Sequence, residues 1–306
     1  MTELVLNELS LHYKIQVIEM LYLHAHTPIE NELYRQLKTK QNHVSQLNIH
    51  HLHDKQYLER HHYIHPSDTL MYSFLDYASY DYLPSFQKEV EAVDLILEFA
   101  EELGYKHLIF ITYPGVYYNS GNLFSQHKAI IQQKVAQSGL GFTFLAINAL
   151  SCFEKQQHSL YPLCYNNDAE KFIIPFHRSK VIYNLEVENL VRLLSAPNFV
   201  AMNKSYEVFD AIYSMNEFLS IFSDHIPVTH YPNFLFSFLS YIRDWHTPSM
   251  VELLTKPLVT MQRNLVERDF HISLQPTPLV NSYLWRLEKG KRGFNQPDEL
   301  AWNGAF

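Results

Sequence analysis

The chain has 306 residues, 47% apolar and 18% charged, enough for one large domain or two ordinary ones, which excludes disorder as the dominant state. Its 24 Lys and Arg against 32 Asp and Glu give a net charge of −8. This argues against a globally basic nucleic-acid binder, and no apolar run approaches the ~18 residues of a membrane span. Two cysteines, Cys152 and Cys164, cannot make a disulfide scaffold, and the start MTELVLNELS has no basic segment, so a cytoplasmic globular protein without a signal peptide is expected.

In chain order, ELVLN (3–7) reads as a short strand. Residues 11–25 read as a helix with Ile15, Ile18, Leu21 and Tyr22 on one side. Pro28 interrupts, Ile29 to Tyr34 reads as a second strand, and Val44 to Ile49 alternates as a half-buried strand does. Residues 54–63 suggest a short helix and TLMYSFL (69–75) a compact apolar strand. The clearest helix is 84–103, where Val90, Val93, Leu97 and Ala100 recur at helical spacing opposite Glu91, Asp94, Glu98 and Glu101. Pro84 starts it, and Gly104 stands where a left-handed cap is wanted. HLIFIT (107–112) follows as a strand, then a helix over 124–137 ending near Gly139, then the strand GFTFLAIN (141–148). Such alternation implies parallel pairing, because each crossover needs a helix. The fold class expected is α/β: a Rossmann-like parallel sheet over 1–150, with a smaller, mostly helical lobe over 151–306 packed on it as one unit. In that lobe 149–180 reads as irregular, 185–195, 216–226, 233–245 and 248–268 as helices, and the end as a turn-rich tail. The aromatic stretch 231–245 suits core between lobes, a ligand pocket or a dimer surface.

Two local features invite other readings. Six histidines fall between His50 and His65, but HHxxH at 61–65 lacks the Glu of a zinc-hydrolase helix and the cluster spans a strand–helix step, so no metal site is expected. Residues 14–60 also admit three helices of a winged helix carrying a mildly basic reader. That arrangement leaves the apolar run at 69–75 without parallel partners.

The block from 92 to 148 carries a family resemblance. AVDLILEFAEELGYKHLIFIT and SQHKAIIQQKVAQSGLGFTFLAIN resemble the helix–strand steps of the NmrA-like, atypical short-chain dehydrogenase group. LHDKQYLERHHYIHPSDTLMYSF upstream and KSYEVFDAIYSMNEFLSIFSD downstream are similar to its flanking segments, in order over roughly 1–225. The resemblance implies an NAD(P)-binding Rossmann fold, and it covers no invariant catalytic motif.

In such folds three glycines after the first strand make room for a pyrophosphate. This chain has only 8 glycines, where about 7% usage would give roughly 21. Aligned on the strand at 3–7, Asn7, Ser10 and Tyr13 stand in the glycine positions. Asn7 tolerates positive φ, Ser10 puts a side chain where phosphate should lie, and Tyr13 crowds the helix–strand contact. Glu8 would sit roughly 5 Å from a phosphate, costing about 3 kcal/mol at an effective dielectric near 20. A helix dipole returns at most about 2 kcal/mol. Arg35, after the expected second strand, matches the family's contact to the 2′-phosphate of NADP. For chemistry, the family's Tyr-x-x-x-Lys pair corresponds to Phe124-Ser-Gln-His-Lys128: a phenyl ring cannot move a proton, so Lys128 and Thr112 are remnants and no catalytic residue is assigned.

The expected function is therefore a non-catalytic binding or regulatory protein, in the manner of the family's redox sensors, with a degraded dinucleotide site weakly marked by Asn7, Ser10, Arg35, Thr112 and Lys128. No cofactor is expected, and NADP is the one left open. The alternative is an NADPH-dependent reductase of a quinone or similar small molecule, with hydride delivered directly from the nicotinamide. A protein partner, a small-molecule ligand and a homodimer stay open; membrane and nucleic-acid partners are not expected.

Overall fold

The computed structural model describes residues 20–23, 27–41, 44–47, 51, 54, 56, 69–73, 82–113, 123–155, 157–160, 164–166, 169–176, 181–197, 199, 202–222, 226–243, 251, 254–255 and 265–275. Its centre is a six-stranded parallel sheet. The strands are β1 (Met20–Leu23), β2 (Val44–Leu47), β3 (Thr69–Ser73), β4 (His107–Thr112), β5 (Phe142–Ala146) and β11 (Lys204–Glu207). They lie in the order β11-β5-β4-β3-β1-β2, and every neighbouring pair is parallel. The Rossmann-like α/β class expected from the alternation is the one observed.

Parallel strands need crossovers, and among the described residues α1 (Pro28–Lys40), α2 (Tyr82–Leu103) and α3 (Leu123–Gln137) supply those from β1 to β2, β3 to β4 and β4 to β5. Side-chain alternation along the strands divides the core between the two faces. Met20, Tyr22, Met71, Ile109 and Ile111 cluster with Ile29, Leu33 and Leu37 of α1. Leu21, Leu23, Leu70, Leu108 and Phe110 cluster with Val93 and Ile96 of α2 and Ile131 and Val135 of α3. Each fully buried Leu or Ile contributes about 1.5–3 kcal/mol, so both helical layers are held by burial more than by propensity. Gly104 and Gly139 end α2 and α3 at φ +70° and +80°, the left-handed conformation that makes glycine the residue of choice there.

The C-terminal half adds β6 (Ala149–Cys152), a 3₁₀ turn (Phe153–Lys155), β7 (Gln157–His158), β8 (Tyr165–Asn166), β9 (Lys171–Phe176) and β10 (Val181–Glu186), then α4 (Val187–Leu194). Past β11 come β12 (Ala211–Ser214), α5 (Met215–Phe222), β13 (Val228–Pro232), α6 (Asn233–Arg243) and α7 (Leu265–Phe270). They form two small sheets, β12-β10-β6-β7 and β13-β9-β8, so among the described residues the stretch expected to be irregular over 149–180 is mainly short strands.

The N-terminal reading needs correction in two places. Met20–Leu23, expected as the end of a helix, is a strand buried along its whole length. A continuous apolar run such as MLYL is what a strand covered on both faces looks like, and periodicity alone does not separate it from a buried helix. Residues 29–34, expected as a strand, lie in α1: Thr27 caps the helix, Pro28 opens it, and Glu30 closes a capping box. The winged-helix alternative placed three helices within 14–60, and Pro28–Lys40 is one, yet β1 and β2 pair in parallel, Met20 with Val44 through Leu23 with Leu47, which no three-helix arrangement allows. The strand expected at 3–7 and most of the helix at 54–63 lie outside the described residues.

Candidate functional site

The connection from β1 runs through α1 to β2 on one side, whereas β3, β4 and β5 follow on the other side of β1. The strand order therefore reverses between β1 and β3, and the crevice beyond their carboxyl ends is where an open α/β sheet takes a ligand. In the sequence the segment that leaves β1 is His-Ala-His-Thr, 24–27, of which Thr27 is described. The glycine positions assigned to Asn7, Ser10 and Tyr13, and the Glu8 argument with them, rested on the strand at 3–7 and lie outside the described residues. The segment leaving β1 has no glycine either: Gly104 is the first glycine of the chain.

The amino end of α1 meets the crevice with the Thr27, Glu30 and Asn31 amides engaged. The Glu30 side chain is fully buried. Its Oε2 accepts from the Thr27 amide at 3.1 Å and the Thr27 hydroxyl at 2.8 Å. Its Oε1 accepts from the Ser73 hydroxyl, at the end of β3, at 2.5 Å. The Glu30 amide reaches Thr27 Oγ1 at 3.4 Å, and the Asn31 amide bonds the Thr27 carbonyl at 2.9 Å. Since Ser73 gives its one proton to the carboxylate, the 2.7 Å contact between Tyr22 and Ser73 has the phenol as donor. The result is a directed chain, Tyr22 to Ser73 to Glu30, laid across the switch point. Burial, with the Glu30 charge adding to it, holds the Tyr22 phenol well above its usual value, so the phenol stays protonated and donating. Pro28 has no amide hydrogen, so Ile29 alone in the first turn keeps an N–H that none of these contacts uses.

Removing Glu30 tests how much this plug contributes to stability. Glu30→Ala deletes the capping box and leaves the buried Ser73 hydroxyl without its acceptor. It is expected to cost about 2–3 kcal/mol in a urea denaturation series. A loss under about 0.5 kcal/mol would mean the network is incidental.

Arg35 sits in the middle of α1, not after a strand as expected. Its guanidinium lies side-on to Glu32, at 2.8 Å through Nε and 2.5 Å through Nη2. The position that follows β2 falls outside the described residues.

Thr112 ends β4 as a buried residue whose carbonyl accepts from the Ile147 amide at 2.8 Å. Phe124 is fully buried and carries Tyr113 edge-on, 5.3 Å between ring centres. The Tyr113 phenol accepts from the Asn148 amide at 3.1 Å, and the Asn148 carbonyl in turn accepts from the Tyr183 amide. Burial raises this phenol's pKa, the opposite of what a proton-transferring tyrosine needs.

Lys128 is likewise buried, and α2 takes it up: its ammonium is ion-paired with Glu89, itself buried, and lies 5.2 Å from the centre of the Phe124 ring. Burial pushes the ammonium below the usual lysine value, against the pull of Glu89. Phe86 and His127 stack at 4.1 Å over the same helix pair.

The structure thus brings Phe124 and Lys128 together as a hydrophobic ring and a buried ion pair, with Thr112 at a strand end and Arg35 on a separate helix. Sequence reasoning missed Glu30, Ser73, Tyr22 and Glu89. For the first of these a signal was present: Thr27-Pro-Ile-Glu30 is a capping box with proline at its first helical position, a helix start written out in sequence.

Neither a protein-family model nor a curated protein matches the chain; solved structures do. A nucleoside-diphosphate-sugar epimerase from Staphylococcus aureus is 16% identical, with a TM-score of 0.58 over 86% of this chain and 99% of its own. UDP-glucose 4-epimerase from Thermotoga maritima, solved with UDP-glucose, is 12% identical, at 0.57 over 89% and 99%. L-threonine dehydrogenase from Phytophthora infestans is 10% identical, at 0.60 over 89% and 99%. At these identities the likeness is one of fold. It extends over nearly the whole length of those enzymes, including the strands and helices after residue 150. Among the described residues, no helix is long and apolar enough to cross a membrane, and no group of His, Cys, Asp and Glu is arranged to hold a metal.

Proposed function

We propose that this chain is a non-catalytic binding or regulatory protein, built on the NmrA-like variant of the dinucleotide-binding fold, whose own side chains occupy the pyrophosphate end of the cleft. The observation that carries this reading is Glu30. A dinucleotide needs free amides at the amino end of α1 and backbone close enough to touch phosphate. Here a buried carboxylate already accepts from the Thr27 amide and from Ser73, and the loop before it has no glycine. A second anion beside Glu30 would meet repulsion of several kcal/mol at the low effective dielectric of a buried site. The residues present do not fit the cofactor. The absent phenol at Phe124 and the Lys128–Glu89 pair point the same way, since both groups that short-chain dehydrogenases use to move a proton are missing or engaged.

Calorimetric titration with NADPH, then NADH, tests the reading on the intact protein. Neither nucleotide is expected to give heat or a thermal shift up to millimolar concentration. Low-micromolar NADPH binding would overturn it and restore the reductase alternative; a 2′-phosphate contact from Arg35 would then be shown by loss of the NADPH preference in Arg35→Ala.

A further inference from the structure

Helix α6 leaves an apolar face open to solvent. Phe234 is 77% exposed, Phe238 59%, Tyr241 82% and Ile242 58%. They stand at i, i+4, i+7 and i+8, within about 100° of arc on a helix of 3.6 residues per turn. The opposite side is anchored: Phe236 and Ser240 are fully buried, and α6 packs on β13 and β9. The exposure is therefore that of a seated helix presenting a second face. Scattered surface apolar residues need no explanation, but four large ones in register do.

We infer that this face is a twofold interface with a second copy of the chain, α6 packing antiparallel on α6. Three observations select a second copy as the occupant. First, from Asn233 to Ile242 the helix has no charged side chain. A twofold axis sets each residue against its own copies, so a chain with net charge −8 associates most readily through a stripe that carries no charge. Second, the stripe is self-complementary. With Phe238 near the axis, Phe234 of one copy meets Tyr241 and Ile242 of the other, aromatic against aromatic at the centre and aliphatic at the rim. Third, the area suffices. Large aromatics bury 150–250 Å² each, so four side chains at these exposures offer about 500 Å² per copy. The pair reaches about 1,000 Å², the lower bound of a specific interface. A lipid surface suits the stripe poorly, because helices that lie on membranes carry Lys and Arg along the polar face and this one has none before Arg243. The inference is independent of the reading given to the dinucleotide cleft.

Sedimentation velocity on the full chain between 1 and 100 μM tests it. The wild type is expected to move from the 36.1-kDa monomer to a dimer of twice that mass across this range. Phe238→Glu and Tyr241→Glu, each placing a charge against itself across the axis, should weaken dimerisation at least 100-fold. Leu123→Glu and Ile130→Glu, at the exposed Leu123 (46%) and Ile130 (40%) on α3, should leave it unchanged. Circular dichroism reads whether each of the four variants is folded. A wild type that stays monomeric at 100 μM overturns the proposal. So does a dimer that survives the α6 substitutions and fails with those on α3, and so does a Phe238→Glu variant that unfolds, since that would mean the stripe is covered within one chain.

Discussion

Replacing Lys128 with Met is expected to destabilise the protein by about 3–5 kcal/mol, because it strands the Glu89 carboxylate in a site with almost no solvent. The double substitution Lys128→Met with Glu89→Leu should recover most of that loss, because well-packed apolar groups of similar volume replace a buried ion pair at little cost or with a gain. A urea-denaturation double-mutant cycle measures both. The cycle also separates two roles for the lysine. A lysine kept for chemistry commonly sits at a site strained for function, and its removal is neutral or stabilising. A lysine kept for architecture gives the large penalty and the rescue. A single-variant loss below about 1 kcal/mol would show that the pair is solvated and the architectural role wrong.

Acid is expected to weaken the fold well above the carboxylate range. Burial lowers His107 to about 4 and His158 to about 3, against about 6.5 in an unfolded chain. Below pH 6.5 the unfolded chain takes up protons that the folded one refuses, so the folded state loses stability as pH falls, down to about pH 4 for His107 and pH 3 for His158. At pH 5 each histidine accounts for about 2 kcal/mol of loss, and the two together for about 4 kcal/mol, a large part of an ordinary domain's stability. Chemical denaturation at pH 7 and pH 5 reads the total. His107→Gln, whose amide nitrogen stands near the position of the ring Nε2 that meets Thr143 at 2.9 Å, should remove about half of the difference. A stability that is flat over this interval would mean that both rings are reached by water or charged in the folded state.

The central sheet was legible where the physics is local. β3, β4, β5, α2 and α3 follow from apolar runs and helical spacing, and Gly104 and Gly139 mark helix ends because a left-handed cap favours glycine. The N-terminal unit was misread by one strand. An apolar strand covered on both faces shows no alternation, so MLYL was absorbed into a helix, and the glycine positions were aligned on a segment outside the described residues. The candidate site was less legible for a different reason. Glu30 and Ser73 are 43 residues apart and Glu89 and Lys128 are 39 apart, and neither pair has a spacing signature. Only the fold brings them into contact. The winged-helix alternative named α1 correctly for a fold that does not exist, a reminder that a segment's propensity and its tertiary context are separate pieces of information.

The capping box of α1 has a consequence for how this protein lives with cellular metabolism. An ordinary dinucleotide-binding fold borrows about 3–4 kcal/mol of stability when its cofactor stands at 100 to 1,000 times the dissociation constant, and so it registers starvation and redox shifts as changes in its own lifetime. On the proposed reading, this chain tethers its anion to the helix beside it and holds that anion at saturation in every condition. Its thiols offer no second channel to redox state: Cys152 is buried with its thiol pushed up to about 12, and Cys164 is buried as well. On that reading the molecule is a constant and not a gauge: whatever it holds, it holds at the same strength in fed and starved cells, and any change in its output comes from how much of it there is or from what it meets.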